Sequence, residues 1–142
     1  MINNGSIIYK MKSLSEIETI TIRSSKAVGY SWGIAEEVGK GIRMLELYGL
    51  PGIKYLNEYY KSKANQKFEN LNLINKNNDS NQNPYCTIYL GVSFLDQIKI
   101  LEKLNKINFN HVAYPLLLLP FISRCSEIIG QKIHFKFENH EL

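Results

Sequence analysis

Glu37 stands between Gly33 and Gly41, each one helical turn away along the same stripe, and Ala35 and Gly39 form a second small-residue stripe beside it. Each glycine inside a helix costs about 1 kcal/mol relative to alanine, so something must offset the set. One reading is close packing, in which small side chains let another helix, the preceding one, approach. The other places the Glu37 carboxylate in a groove open to a ligand. Desolvation there raises its pKa and suits it to acid/base catalysis. Four further residues are candidates for binding: Trp32 at the start of the same segment, Glu36, Tyr114 ahead of Pro115, and Arg124 within an apolar stretch. An arginine facing a cleft would anchor the carboxylate of a small organic acid. Its plainer reading is a side chain snorkelling from a helix edge. Trp32 either belongs to the core or lines a pocket, and Tyr114 is either a buried strand-end ring or a pocket hydroxyl.

Other chemistries lack their residues. His111, His134 and His140 show no helical i, i+4 pair, and Cys86 and Cys125 stand far from one another, so no metal site is expected. No phosphate-binding glycine loop, dinucleotide fingerprint or nucleophile elbow occurs, and no cofactor is expected. Each cysteine reads as a small buried hydrophobe with a free thiol.

The net charge of +4 comes mostly from 14 lysines, against three arginines (Arg23, Arg43, Arg124). Phosphate and base recognition favour the planar arginine fork, so no nucleic-acid partner is expected. Ile, Asn, Lys and Tyr supply 56 of the 142 residues; all four have AT-rich codons, which accounts for the lysine and asparagine excess. The longest apolar stretch, Val112 to Ile122, has 11 residues and two prolines, whereas a membrane span needs about 20. With no secretory pattern at the start, the expectation is a cytoplasmic protein away from membranes.

The length of 142 residues suits a single domain over 1–142. Ile7-Ile8-Tyr9 suggests a short leading strand. Ser13 and Glu16 form a capping-box pattern that opens a helix over roughly 14–28, with Gly29 as its stop. Ser31 opens a second helix that Gly49 closes and Pro51 prevents from continuing. A third runs from about 51 to 63, which completes a helical part over 13–63. Residues 64–84 hold eight asparagines and little apolar content and read as a flexible loop. An α/β part follows over 85–138. It has strands at 85–90, 108–114 and 132–138 in one sheet, a helix that Ser93 caps, and a helix through Ile129. Pro120 either kinks that last helix or sits in its first turn. The fold class is therefore α+β: an N-terminal helical hairpin plus a third helix, then a small mixed sheet with two helices.

Three blocks carry a resemblance. They are Trp32-Gly-Ile-Ala-Glu-Glu-Val-Gly39, Gly49-Leu-Pro-Gly52 and Pro115-Leu-Leu-Leu-Leu-Pro-Phe121. In this order the chain resembles an uncharacterised bacterial family of unknown function, which implies no activity or catalytic residue. The spacing of Gly29, Ala35, Gly49 and Tyr59-Tyr60 is also similar to that in the N-terminal helices of malate/L-lactate dehydrogenases. Those enzymes carry a catalytic histidine just after the glycine that Gly49 matches. Here Leu50-Pro51-Gly52 stands in its place, so the resemblance does not bring that chemistry.

The functional expectation is a non-catalytic accessory or small-ligand-binding protein working in an assembly, as a homo-oligomer or with a protein partner. The alternative is a small enzyme acting on an organic acid, with Glu37 as acid/base and Arg124 as anion anchor.

Overall fold

The computed structural model describes residues 13–138, so the strand expected at Ile7-Ile8-Tyr9 and His140 lie outside the described residues. The chain divides into two compact units, Met1–Ile53 and Lys54–Leu142.

The described residues of the first unit form an antiparallel helical hairpin, α1 (Leu14–Ala27) and α2 (Trp32–Leu47). Both N-termini are capped as their serines predict: Ser13 Oγ accepts from Glu16 N and Ser31 Oγ from Ile34 N. Both C-termini end in Schellman turns. Tyr30 N donates to Ser25 O around Gly29, and Leu50 N to Leu45 O around Gly49. The two glycines have φ of +106° and +75°, a region that residues with a Cβ enter at a cost. Gly39 lets the helices touch, because a Cβ there would lie 2.7 Å from Ile22 Cγ1 and 3.1 Å from the Glu18 carbonyl oxygen. The close-packing reading of the small-residue stripes therefore holds at Gly39. It does not hold at Gly33, which is exposed and has open space beside it.

Helix α3 (Gly52–Ser62) follows the proline turn and leads into the second unit. Glu46 supports its start, its Oε1 accepting from Ile53 N at 3.1 Å. Beyond α3 come β1 (Asn77–Asn78), α4 (Thr87–Asp96), the single turn α5 (Ile98–Leu101), β2 (Asn108–Phe109), a 3-10 turn (Pro115–Leu118) and α6 (Leu119–Ile129). The fold is α+β, with helices predominating over one two-stranded parallel sheet among the described residues. In that sheet Asn77 lies opposite Asn108 and Asn78 opposite Phe109.

The strand placement differs from the sequence reading at three points. Residues 85–90 contribute one bridging position, Tyr85, which meets Glu69 and Val112; from Thr87 onward the chain is helical. Thr87, Ile88, Leu90, Gly91 and Phe94 are all buried, and a helix buried on most sides carries no polar period to betray it. Ser93 accordingly sits within α4 rather than at its cap, its hydroxyl donating to Leu71 O. Of 108–114, two residues form strand. Residues 132–138 join neither strand nor helix. Pro120 takes the second of the two expected places, in the first turn of α6.

The Asn-rich segment contains β1 and buries Ile74 and Asn78 to 1% and 4% exposure, more burial than its composition suggests. Its amides act as backbone substitutes. Asn78 Oδ1 accepts from Asn75 N, and its Nδ2 donates to Asn75 O and to Asn108 O. Gln97 reaches back to receive Ile74 N and to donate to Asn72 O. The core of this unit gathers Ile74, Tyr85, Leu90, Phe94, Leu118 and Ile122. Gly91 lets α4 and α6 meet, since a Cβ there would lie 2.3 Å from the Phe121 ring.

Candidate functional site

Tyr55, Tyr59 and Lys63 recur every fourth residue along and just past α3, which sets them on one face. Tyr59 is fully buried, and its hydroxyl lies 2.6 Å from the Cys86 sulfur. Phe68 packs edge-on against the Tyr59 ring with centroids 5.0 Å apart, and Tyr114 lies 5.5 Å from it. The Lys63 ammonium sits 5.1 Å from the centre of the same ring, within cation–π range. Burial holds the Lys63 ammonium below its ordinary pKa, with the electrostatic influence of Cys86 acting the other way. Cys86 is fixed from both sides. Its N–H donates to Glu69 O, and its carbonyl accepts from Leu90 N in the first turn of α4.

Tyr114 enters this cluster through a strained backbone. It has φ 50° and ψ 61°, left-handed rather than the extended conformation expected before a proline, and is the one non-glycine residue with positive φ among those described. Such a conformation costs of order 1–3 kcal/mol and persists where its surroundings over-determine it. Here Thr87 Oγ1 donates to Ala113 O, Ala113 N donates to Tyr85 O, and Leu117 N donates to Tyr114 O. The result is a half-buried ring 6.5 Å from Tyr55 as well as beside Tyr59. The Lys63 ammonium, the Tyr59–Cys86 pair and the rings of Tyr55, Phe68 and Tyr114 thus lie in one cluster. With Tyr59 and Cys86 covered, the half-buried Lys63, Tyr55 and Tyr114 are the members that meet water, a cation beside aromatic surface that suits a small anion with a hydrophobic body.

Of the residues singled out in the sequence, Tyr114 belongs to this cluster. Trp32, Glu36 and Glu37 lie on α2 in the first unit. Trp32 is 59% exposed, which corrects its reading as core, whereas Glu36 and Glu37 are half-buried. Arg124 is half-buried on α6 beside Cys125. Burial pushes the Cys125 thiol up, with the Arg124 charge pulling it the other way. Glu37 and Arg124 therefore belong to different units. Sequence reasoning missed Tyr59, Lys63 and Cys86. The i, i+4, i+8 spacing of Tyr55, Tyr59 and Lys63 was available as a signal, but Tyr60 beside Tyr59 fits the same apolar stripe and obscured it.

Among the described residues no group of three or more His, Cys, Asp or Glu side chains is placed to hold a metal ion. No described helix is long and apolar enough to cross a membrane. No curated protein and no solved structure matches the chain. The first two sequence blocks fall within residues 12–86, and over that stretch the chain matches the family described as "Protein of unknown function (DUF3726)", to which it belongs.

Proposed function

We propose that the protein is a non-catalytic small-ligand-binding protein working in an assembly, and that its ligand is a small organic acid held at the tyrosine cluster. The observation that carries this reading is the Lys63 ammonium, partly withdrawn from water over the Tyr59 ring. A cation that has lost hydration gains from an arriving carboxylate, and the aromatic rings supply apolar contact for the rest of the acid. Binding is favoured over thiol chemistry because Cys86 is 3% exposed and Tyr59 wholly covered. A reactive cysteine needs access. The assembly half of the reading is supported by large side chains left in water on the hairpin, Trp32 at 59% and Tyr48 at 71% exposure. The buried cysteines Cys86 and Cys125, neither of them in a disulfide, support a reducing, cytoplasmic setting.

Calorimetric titration with small mono- and dicarboxylates tests the proposal. At least one acid should bind the wild type, Lys63→Arg should retain it, and Lys63→Gln should weaken it about tenfold or more. If no carboxylate binds, or if wild type and Lys63→Gln bind alike, the reading is wrong.

A further inference from the structure

The segment Lys132–Glu138 alternates strictly: Ile133, Phe135 and Phe137 share one parity, and Lys132, His134, Lys136 and Glu138 the other. The rings of Phe135 and Phe137 lie 5.3 Å apart, consistent with i, i+2 side chains on one face of an extended chain. Phe135 packs against the core of the second unit. Ile133 and Phe137 are each left 41% exposed, and the segment pairs with no strand among the described residues. A β-patterned stretch whose ladder is not satisfied among the described residues is a template for another strand.

We infer that this segment pairs antiparallel with the same segment of a second copy, about a two-fold axis through Phe135. The sequence selects both occupant and register. With Phe135 opposite its own copy, Lys132 faces Glu138 at each end, Ile133 faces Phe137 on the apolar face, and His134 faces Lys136. Opposite charges and aromatic–β-branched pairs are the cross-strand combinations that stabilise antiparallel sheets. A centre at His134 instead sets Lys132 against Lys136, and a centre at Lys136 sets that lysine against itself. The charges are thus self-complementary about Phe135 and repel about its polar neighbours, as an isologous interface requires.

Sedimentation of the full chain over a range of concentrations tests this. The wild type should self-associate. Lys132→Glu places glutamates opposite each other at both ends, and Glu138→Lys places lysines there; each should weaken association about tenfold. An equimolar mixture of the two variants should restore association, because each end of the mixed pair again sets a lysine against a glutamate. Both positions are exposed, so unchanged melting curves will show that the fold is intact. A wild type that stays monomeric, reversals without effect, or a mixture that fails to recover would each overturn the inference.

Discussion

The hairpin of the first unit is held by neighbours in sequence, and the second unit by partners far along the chain. In the hairpin each serine caps a helix three residues on, and each Schellman turn closes within five residues. In the second unit Tyr59 meets Cys86, Ile74 meets Gln97, Thr87 meets Ala113 and Asn78 meets Asn108. Local bonds form early and fail one at a time. Distant ones share a core, so loss of one loosens several segments together. The two units should therefore respond differently to equivalent substitutions.

The largest contrast is expected between two helix-contact glycines. At Gly91 an added Cβ would fall 2.3 to 2.7 Å from three atoms of the Phe121 ring, which is itself buried at 4% exposure. Gly91→Ala should cost about 3 kcal/mol, the upper end for overpacking, because neither helix can retreat without disturbing the shared core. At Gly39 the approach is looser, 2.7 Å from Cγ1 of the half-buried Ile22 and 3.1 Å from the Glu18 carbonyl oxygen, so a smaller shift relieves it. Gly39→Ala should cost about 1 kcal/mol, since alanine's helix propensity offsets part of the clash. Urea denaturation of the two variants checks this. An equal or greater loss at Gly39 would mean that the hairpin packs as rigidly as the second unit.

A smaller contrast compares polar groups. Asn78→Ala removes a buried amide that serves Asn75 twice and Asn108 once, so three hydrogen bonds are lost together. The expected loss is about 2 kcal/mol. Ser31→Ala removes one exposed cap and should cost about 1 kcal/mol. Amide hydrogen exchange sharpens the test. Asn78→Ala frees the carbonyl of Asn108, thirty residues away, and should thereby speed exchange of the Asn108 N–H, which donates to Lys76 O in the same strand pair, whereas Ser31→Ala should act within the first turn of α2. An Asn78→Ala loss of a few tenths of a kcal/mol would remove the distinction between the units.

The same contrast explains what was legible in the sequence. The hairpin could be read nearly to the residue, because Ser13, Ser31, Gly29 and Gly49 mark ends that depend on their neighbours alone. The strands of the second unit could not. The stretch from Tyr85 to Leu90 has a period-2 look, but helix α4 is buried on most sides and follows its surroundings rather than its own pattern. The asparagines of 64–84 resemble low-complexity loop until Asn78 and Gln97 meet backbone groups twenty to thirty residues away. For the site, Tyr114 was legible as a residue but not in its left-handed conformation, which is imposed by Thr87 and Tyr85. Lys63 and Cys86 gain their meaning from Tyr59, a partner that spacing alone does not disclose.

The smallest expected effect concerns acid. The Glu69 carboxylate accepts from Asn83 N at 2.8 Å, Gln82 N at 3.1 Å and Asn81 N at 3.3 Å, gathering the end of the Asn-rich segment. Those bonds, Asn83 first and Gln82 next, hold its pKa below the usual carboxylate value. The folded protein therefore binds this proton more weakly than the unfolded chain does. Its contribution to stability is complete above the unfolded value of about 4.3 and fades as pH falls through the lower folded value. Glu69→Gln removes that titration. The stability gap between wild type and variant should be widest above pH 5 and should close as both are taken into acid, which chemical denaturation at a series of pH values would show. The same variant has an alkaline signature. The Tyr85 phenol is pushed up first by burial and then by the charges of Glu69 and Asp79, so Glu69→Gln should lower its titration midpoint by ultraviolet absorbance. A gap that persists unchanged into acid would mean that the three N–H donors do not favour the charged carboxylate, and that the loop is held by its distant asparagine bonds without this local clasp.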